Sequence, residues 1–165
     1  SPPTEAMAKW SWPMTERPRK IIRGGALIDP ASVLPQASDI LIENGIICEI
    51  RPPGLSAPDD AEEISAANQL LIPGLVNAHT HSHYTLSKGL AVNWTLEMLL
   101  HAGPWVCGNR IRDDLRLGTM LGAAEMIRKG CTSCYDMVLE LPAPSIEGIG
   151  SVAAAYDEIG MRVGK

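Results

Sequence analysis

Apolar and polar positions divide the chain into stretches of different texture. Residues 1–19, SPPTEAMAKWSWPMTERPR, mix proline, charge and two isolated tryptophans without a period, which predicts a mobile leader. From Lys20 short strand-like runs begin. KIIRGGALID is one, and DILIENGIICEI is two more divided by Asn44-Gly45, a strong hairpin signal because both residues tolerate positive φ. A small antiparallel β unit is expected there. The proline-rich, polar PPGLSAPDDAEE (52–63) reads as a loop. Strand character returns in SAANQLLIPGLVNAH and breaks at Pro73-Gly74, where proline removes a ladder donor. The break predicts that the chain leaves one sheet and enters another, with a boundary between 20–73 and 74–165.

Downstream of that boundary, helical and extended patterns alternate. RDDLRLGTMLGAAEMIRKG carries apolar residues at Leu117, Leu121, Ala124 and Ile127. It has Asp113 and Asp114 at its start, Arg128 and Lys129 at its end, and Gly130 as a stop. CTSCYDMVL follows as a strand. SIEGIGSVAAAYDEIG is a second helix, with Ser145 and Glu147 near its N-terminus, a face of Ile149, Val152, Tyr156 and Ile159, and Gly160 as its stop. MRVGK begins another strand. The order β, α, β, α, β after a β unit predicts an α/β fold with a parallel sheet or barrel. NWTLEMLLHAGPW, with Trp94 and Trp105, reads as a segment covering a substrate, and the spacing of Leu96, Leu99 and Leu100 suits core packing.

Composition narrows the function. The 165 residues are 45% apolar, with 14 basic against 19 acidic residues and a formal charge of −5. No basic run points to nucleic acid or an anionic membrane surface, and no apolar run approaches the roughly 20 residues of a spanning helix. Small-molecule chemistry in the cytoplasm is the expectation. Cys48, Cys107, Cys131 and Cys134 are too few and scattered for a disulfide framework. On a strand, Cys131 and Cys134 point to opposite faces, so plain buried thiols are expected rather than a metal or redox pair.

Three of the four histidines stand at alternate positions in NAHTHSHYTLSKG: His79, His81 and His83. On a strand running into a loop, the period of 2 puts His79 and His81 on one face, about 7 Å apart along the backbone. Two imidazoles so placed can converge on one ion. Loop polarity or satisfied core histidines are the plain alternative, since a catalytic zinc site takes three protein ligands and this pair supplies two. The apolar strand before the pair favours the metal reading, because active sites of α/β barrels lie at the carboxyl ends of strands. His83 either faces substrate or is an ordinary loop residue. Asp136, at the end of the second barrel strand, is expected to be structural.

LLIPGLVNAHTH resembles the PGLV/I-(D/N)-x-H-x-H signature of the amidohydrolase superfamily. KIIRGGALID and DILIENGIICEI are similar to its N-terminal β-sandwich segment. TLSKGL resembles the TL-x-(R/K)-G of its deaminase and chlorohydrolase branch, GAAEMIRKGCTSCYDM its next helix and strand, and AAAYDEIGMRV the helix and strand after those. The resemblance runs from about Lys20 to the C-terminus. It implies a small β-sandwich contributed to by 20–73 and a (β/α)8 TIM-like barrel whose first βα units are 74–165. It also implies a metal-dependent hydrolase of carbon–nitrogen bonds other than peptide bonds. The reaction would be deamination, or dechlorination, of an amino-substituted heterocycle by a metal-activated water. His79 and His81 would be metal ligands, with zinc in most members and iron in some. His83 and Trp105 would lie on the substrate side. A later histidine, a later aspartate and the proton-shuttling residues would stand beyond Lys165. Many relatives are homo-oligomers, and nothing in the chain fixes such an interface.

The methylthioadenosine/adenosylhomocysteine deaminases carry a stretch ending L-x-E-W-L, whose Glu holds ribose hydroxyls. Alignment of TLEMLL with it puts Met98 at that Glu and Glu97 one place early. Chlorohydrolase-like members and cytosine or guanine deaminases therefore stay open beside the nucleoside deaminases. About 90 residues follow His79, whereas a whole barrel takes roughly 250. The barrel is thus expected to be incomplete in this chain, and the 165 residues alone inactive. A non-catalytic fragment or association module is the alternative reading.

Overall fold

A computed structural model of the chain describes residues 19–29, 32, 34–108 and 110–164. The leader expected over 1–19 lies outside them, Arg19 excepted. Two compact units result, one ending at Pro73 and one beginning at Gly74. Among the described residues no helix is long and apolar enough to cross a membrane.

The first unit is one five-stranded sheet of β1 (Lys20–Leu27), β2 (Gln36–Glu43), β3 (Ile46–Arg51), β4 (Glu62–Ser65) and β5 (Leu70–Leu71). β1 pairs antiparallel with β2, and β2 with β3. Asn44 and Gly45 join the last two with φ of 53° and 77°, the left-handed pair a two-residue hairpin demands. The sheet is not purely antiparallel, because β4 and β5 both run parallel to β1. Glu62 and Glu63, expected in a loop, therefore belong to β4. All four β4 residues are exposed, so no buried alternation marked that strand in the sequence.

Asp39 ties this sheet together. It is almost fully buried on β2. Its Oδ1 accepts from the Gly24 N–H at 2.9 Å, and its Oδ2 from the N–H groups of Gly54 and Leu55 at 2.9 and 3.1 Å. The Arg23 guanidinium donates to Oδ2 at 3.0 Å and reaches Glu63 of β4 at 2.6 Å. Burial pushes the Asp39 pKa up, but the amides of Gly54 and Gly24, then Arg23 and Leu55, outweigh it and hold it below the ordinary carboxylate value.

The second unit runs β6 (Leu75–Thr80), a 3₁₀ helix (Ser82–Ser87), α1 (Leu96–Cys107), α2 (Arg112–Arg128), β7 (Cys131–Asp136), α3 (Ile146–Ile159) and β8 (Arg162–Gly164). The strands form a parallel sheet in the order β6-β7-β8, with α2 and α3 on the crossovers. This is the expected α/β architecture, with three of the eight strands that close a barrel. Helix ends follow the sequence signals. Asp114 accepts from the Ile111 N–H at 3.1 Å, the Ser145 hydroxyl caps α3 through the Gly148 N–H at 2.9 Å, and Gly160 ends α3 at φ 80°. The core is Leu115, Ala123, Cys134, Val152, Tyr156 and Met161.

Two expected faces turn out differently. Leu117, Leu121 and Ile127 of α2 are exposed, while Leu115, Gly118, Thr119 and Ala123 are buried. Helix α2 must present one side to α3 and β7 and small residues to the 3₁₀ helix, which rotates its larger leucines outward. In α1, Leu96 and Leu100 are exposed and Leu99 half-buried, so the leucines do not form a core; Gly103 and Cys107 are the buried positions. Cys134 is buried and Cys131 half-buried, both as free thiols.

Replacing Asp39 by Ala leaves three amides and a guanidinium without their acceptor, a loss expected to cost the first unit about 3 kcal/mol or more. Because the folded pKa of Asp39 is depressed, its contribution is full above the unfolded-state pKa and is lost as pH falls through the folded value. Hydrogen exchange of β1 and β2 amides at pH 7 and at pH 3 checks both points. The expected pattern is a loss of wild-type protection on acidification and a smaller loss in Asp39→Ala.

Candidate functional site

Strand β6 ends where the histidines begin. The β-period brings His79 and His81 to the same side, and their Nε2 atoms lie 3.0 Å apart. Extended backbone then stops, because residues 82–87 coil into the 3₁₀ helix. His83 therefore does not continue the strand face, although its ring centroid is still 5.5 Å from that of His81. His79 and His81 are exposed, whereas His83 is 5% exposed. Trp105, on α1, is 89% exposed and buries nothing.

The end of β7 holds this turn at several points. Asp136 accepts the Ser82 N–H on Oδ1 at 3.0 Å and the Tyr156 hydroxyl on Oδ2 at 3.0 Å. The Met137 carbonyl faces His81 Nδ1 at 3.0 Å, and the Met137 N–H donates to the Thr80 carbonyl at 2.9 Å. The Leu139 N–H donates to His83 Nδ1 at 3.1 Å. These contacts fix tautomers. A carbonyl only accepts, so His81 carries its proton on Nδ1 and leaves the Nε2 lone pair toward His79. An amide N–H only donates, so His83 accepts on Nδ1 and holds its proton on Nε2. Burial, then the neighbouring His81, push the His83 pKa down to about 4 against an opposing pull from Asp136, and it stays neutral near pH 7.

Behind the turn, α2 supplies a groove of small residues. A Cβ on Gly118 would stand 3.3 Å from the Ser82 carbonyl, and one on Gly122 3.0 Å from the Thr85 hydroxyl. Gly103 of α1 gives the same close approach to the Tyr84 hydroxyl. On the strand itself, the side-chain Oδ1 of Asn77 accepts the His79 N–H at 3.2 Å.

The pair suits a divalent metal. The two Nε2 atoms are closer together than twice a zinc–imidazole bond of about 2.0–2.1 Å, so both are within reach of one ion. The His81–Met137 bond is the outer contact that ligating histidines characteristically make. Two imidazoles do not complete a metal site: among the described residues, no group of three or more His, Cys, Asp or Glu side chains is placed to hold a metal. Asp136 does not join them, since both its oxygens are occupied within the fold. Its structural role was expected, but the partners that hold the turn, Tyr156 and the Met137 and Leu139 backbone, were not. Strand-end acidity hinted at Asp136, and nothing local marked the others.

The parallel α/β unit and its histidine-bearing strand end set the architecture, and comparison with known proteins gives the family. Residues 70–164 match the model of the amidohydrolase family, and the chain belongs to that family. Among curated relatives, a 5-methylthioadenosine/S-adenosylhomocysteine deaminase of Haloarcula marismortui is 38% identical over 145 residues, 86% of this chain and 31% of that protein. A 5′-deoxyadenosine deaminase of Methanocaldococcus jannaschii is 38% identical over 137 residues, 82% of this chain and 31% of that protein. The chain thus spans about a third of the length of these relatives. An atrazine chlorohydrolase from Arthrobacter aurescens, solved in complex with zinc, shares the fold with a TM-score of 0.75 at 24% identity, over 87% of this chain and 34% of that one.

Filling the α2 groove tests its part in holding the histidine turn. Gly118→Leu sets a branched side chain against the Ser82 backbone, which has no flexible end to yield, and is expected to cost about 1–3 kcal/mol. Denaturant unfolding gives the cost. Loss of the His81 Nδ1–H signal in histidine ¹⁵N spectra shows the turn displaced, and retention of that signal with unchanged stability counts against the groove.

Proposed function

We propose that this chain is the N-terminal third of a metal-dependent hydrolase that deaminates an amino-substituted heterocycle, with His79 and His81 as the ligands from its first barrel strand. The observation that carries this reading is the 3.0 Å approach of the two Nε2 atoms, together with the tautomer that Met137 imposes on His81. Zinc is the favoured metal and iron the second choice. When bound, such an ion supplies Lewis acidity and water activation near neutral pH.

The chain's own residues have separable tasks. His79 and His81 hold the ion through Nε2, and the Met137 carbonyl keeps His81 from presenting a proton in place of a lone pair. His83, neutral and carrying N–H on Nε2, stands on the substrate side as a donor, with the exposed Trp105 ring as an apolar wall. The remaining ligands and the groups that move protons are assigned to the part of the protein beyond Lys165.

The deaminase activities of the 38%-identical relatives favour an adenosine-type substrate over a triazine. Met98 stands where a ribose-binding Glu is expected in that branch, and Glu97 lies in the first turn of α1, where it touches Thr95. Recognition of the sugar therefore falls to Glu97 or to residues outside this chain. With half a metal site, the 165 residues alone are a non-catalytic piece.

Elemental analysis of the intact protein is expected to return close to one zinc or iron per chain, and the His79→Ala/His81→Ala variant less than about a tenth of that. Unchanged metal in the variant removes the ligand assignment. The 165-residue chain alone is expected to turn over neither 5′-methylthioadenosine nor an aminotriazine; deamination by it that His79→Ala abolishes overturns that expectation.

A further inference from the structure

Tyr156 is the largest fully buried side chain of the described residues. It sits on α3 among Leu115, Cys134, Val152 and Met161, an apolar setting that a phenylalanine ring would fill equally well. Its hydroxyl nevertheless donates to Oδ2 of Asp136 at 3.0 Å, with the Cys134 thiol as a further side-chain neighbour. Burial, then the Asp136 carboxylate, push the phenol far above its ordinary pKa, so it remains a proton donor.

Asp136 is 2% exposed, and among the described residues no lysine or arginine pairs with it. A carboxylate so buried needs its lone pairs occupied. Tyr156 meets that need on one oxygen, and the other oxygen is left to the Ser82 N–H at 3.0 Å. Ser82 directly follows His81. The next residue after Asp136, Met137, binds the His81 ring through its carbonyl. A path of hydrogen bonds thus runs from the α3 core to the backbone between His81 and His83.

We propose that Tyr156 is a positioning residue for the histidine pair: its hydroxyl, through Asp136, fixes the Ser82 amide and so the direction in which His81 presents Nε2. The side chain touches neither histidine and acts entirely through Asp136. The metal-related part of this inference rests on the reading of His79 and His81 as ligands. A hydroxyl that serves only the core would affect stability alone, whereas one that aims the turn alters metal binding at constant stability.

The test uses the intact protein with Tyr156→Phe, Asp136→Asn and a core control, Val152→Ala, on the same helix. Zinc affinity is read by competition with a chelator, Ser82 amide exchange by NMR and stability by thermal unfolding. Tyr156→Phe and Asp136→Asn are expected to weaken zinc binding about tenfold or more and to speed Ser82 exchange. Val152→Ala is expected to lower the melting temperature without changing either. Wild-type zinc affinity in Tyr156→Phe, beside loss of zinc in His79→Ala/His81→Ala, overturns the positioning role and leaves the metal reading intact. If the wild type takes up no zinc, the metal reading fails, and Ser82 exchange decides the rest. Faster exchange in Tyr156→Phe than in Val152→Ala upholds the link from phenol to turn, and equal exchange overturns it.

Discussion

Parallel pairing of β6 with β7 places the end of one strand beside the end of the next, and the second unit's chemistry depends on what meets there. A parallel ladder offers no hairpin to fix its register, so the two ends are aligned by groups contributed 54 to 56 residues apart in sequence. The carboxylate of Asp136, the carbonyl of Met137 and the amide of Leu139, at and just past the end of β7, each engage a different part of the histidine turn. One contact fixes a backbone amide, and the other two fix ring tautomers. Shared among three bonds, the orientation of the turn does not depend on the torsional preference of any one imidazole.

Packing behind the turn serves the same end. Helix α2 meets the 3₁₀ helix through glycines, so backbone lies close to backbone and few rotatable side chains separate them. That close approach leaves Leu117 and Leu121 on the side of α2 that neither α3, β7 nor the 3₁₀ helix covers. A helix that devotes one side to α3 and β7 and another to glycine contacts has only its third side left for large apolar residues.

Much of this was legible in the sequence, for identifiable reasons. Asn44-Gly45, Ser145 and Gly160 encode turns and caps through their own backbone or side-chain chemistry, and each stands where expected. The alternate histidines encode convergence through the strand period. Strand β4 escaped notice because its pairing with β1 leaves all of its residues exposed, so no hydrophobic pattern was imposed on it. The α2 face was misread because the buried positions are small, Gly118, Thr119 and Ala123 among them, and apolar periodicity weights size. Tyr156 gave no signal beyond that of a core aromatic, and the Met137 and Leu139 contributions are backbone atoms that any residue supplies. What a sequence hides here is long-range partnership, not local form.

The opposite tautomers of His81 and His83 carry a last consequence. Two rings 5.5 Å apart offer opposite polarity, a Lewis-basic nitrogen on one and a Brønsted-acidic N–H on the other. Chemically identical side chains have been sorted into electron donor and electron acceptor by nothing more than whether the backbone opposite each presents C=O or N–H. Alternating C=O and N–H groups along one strand end are thus enough to give two neighbouring imidazoles opposite hydrogen-bonding character.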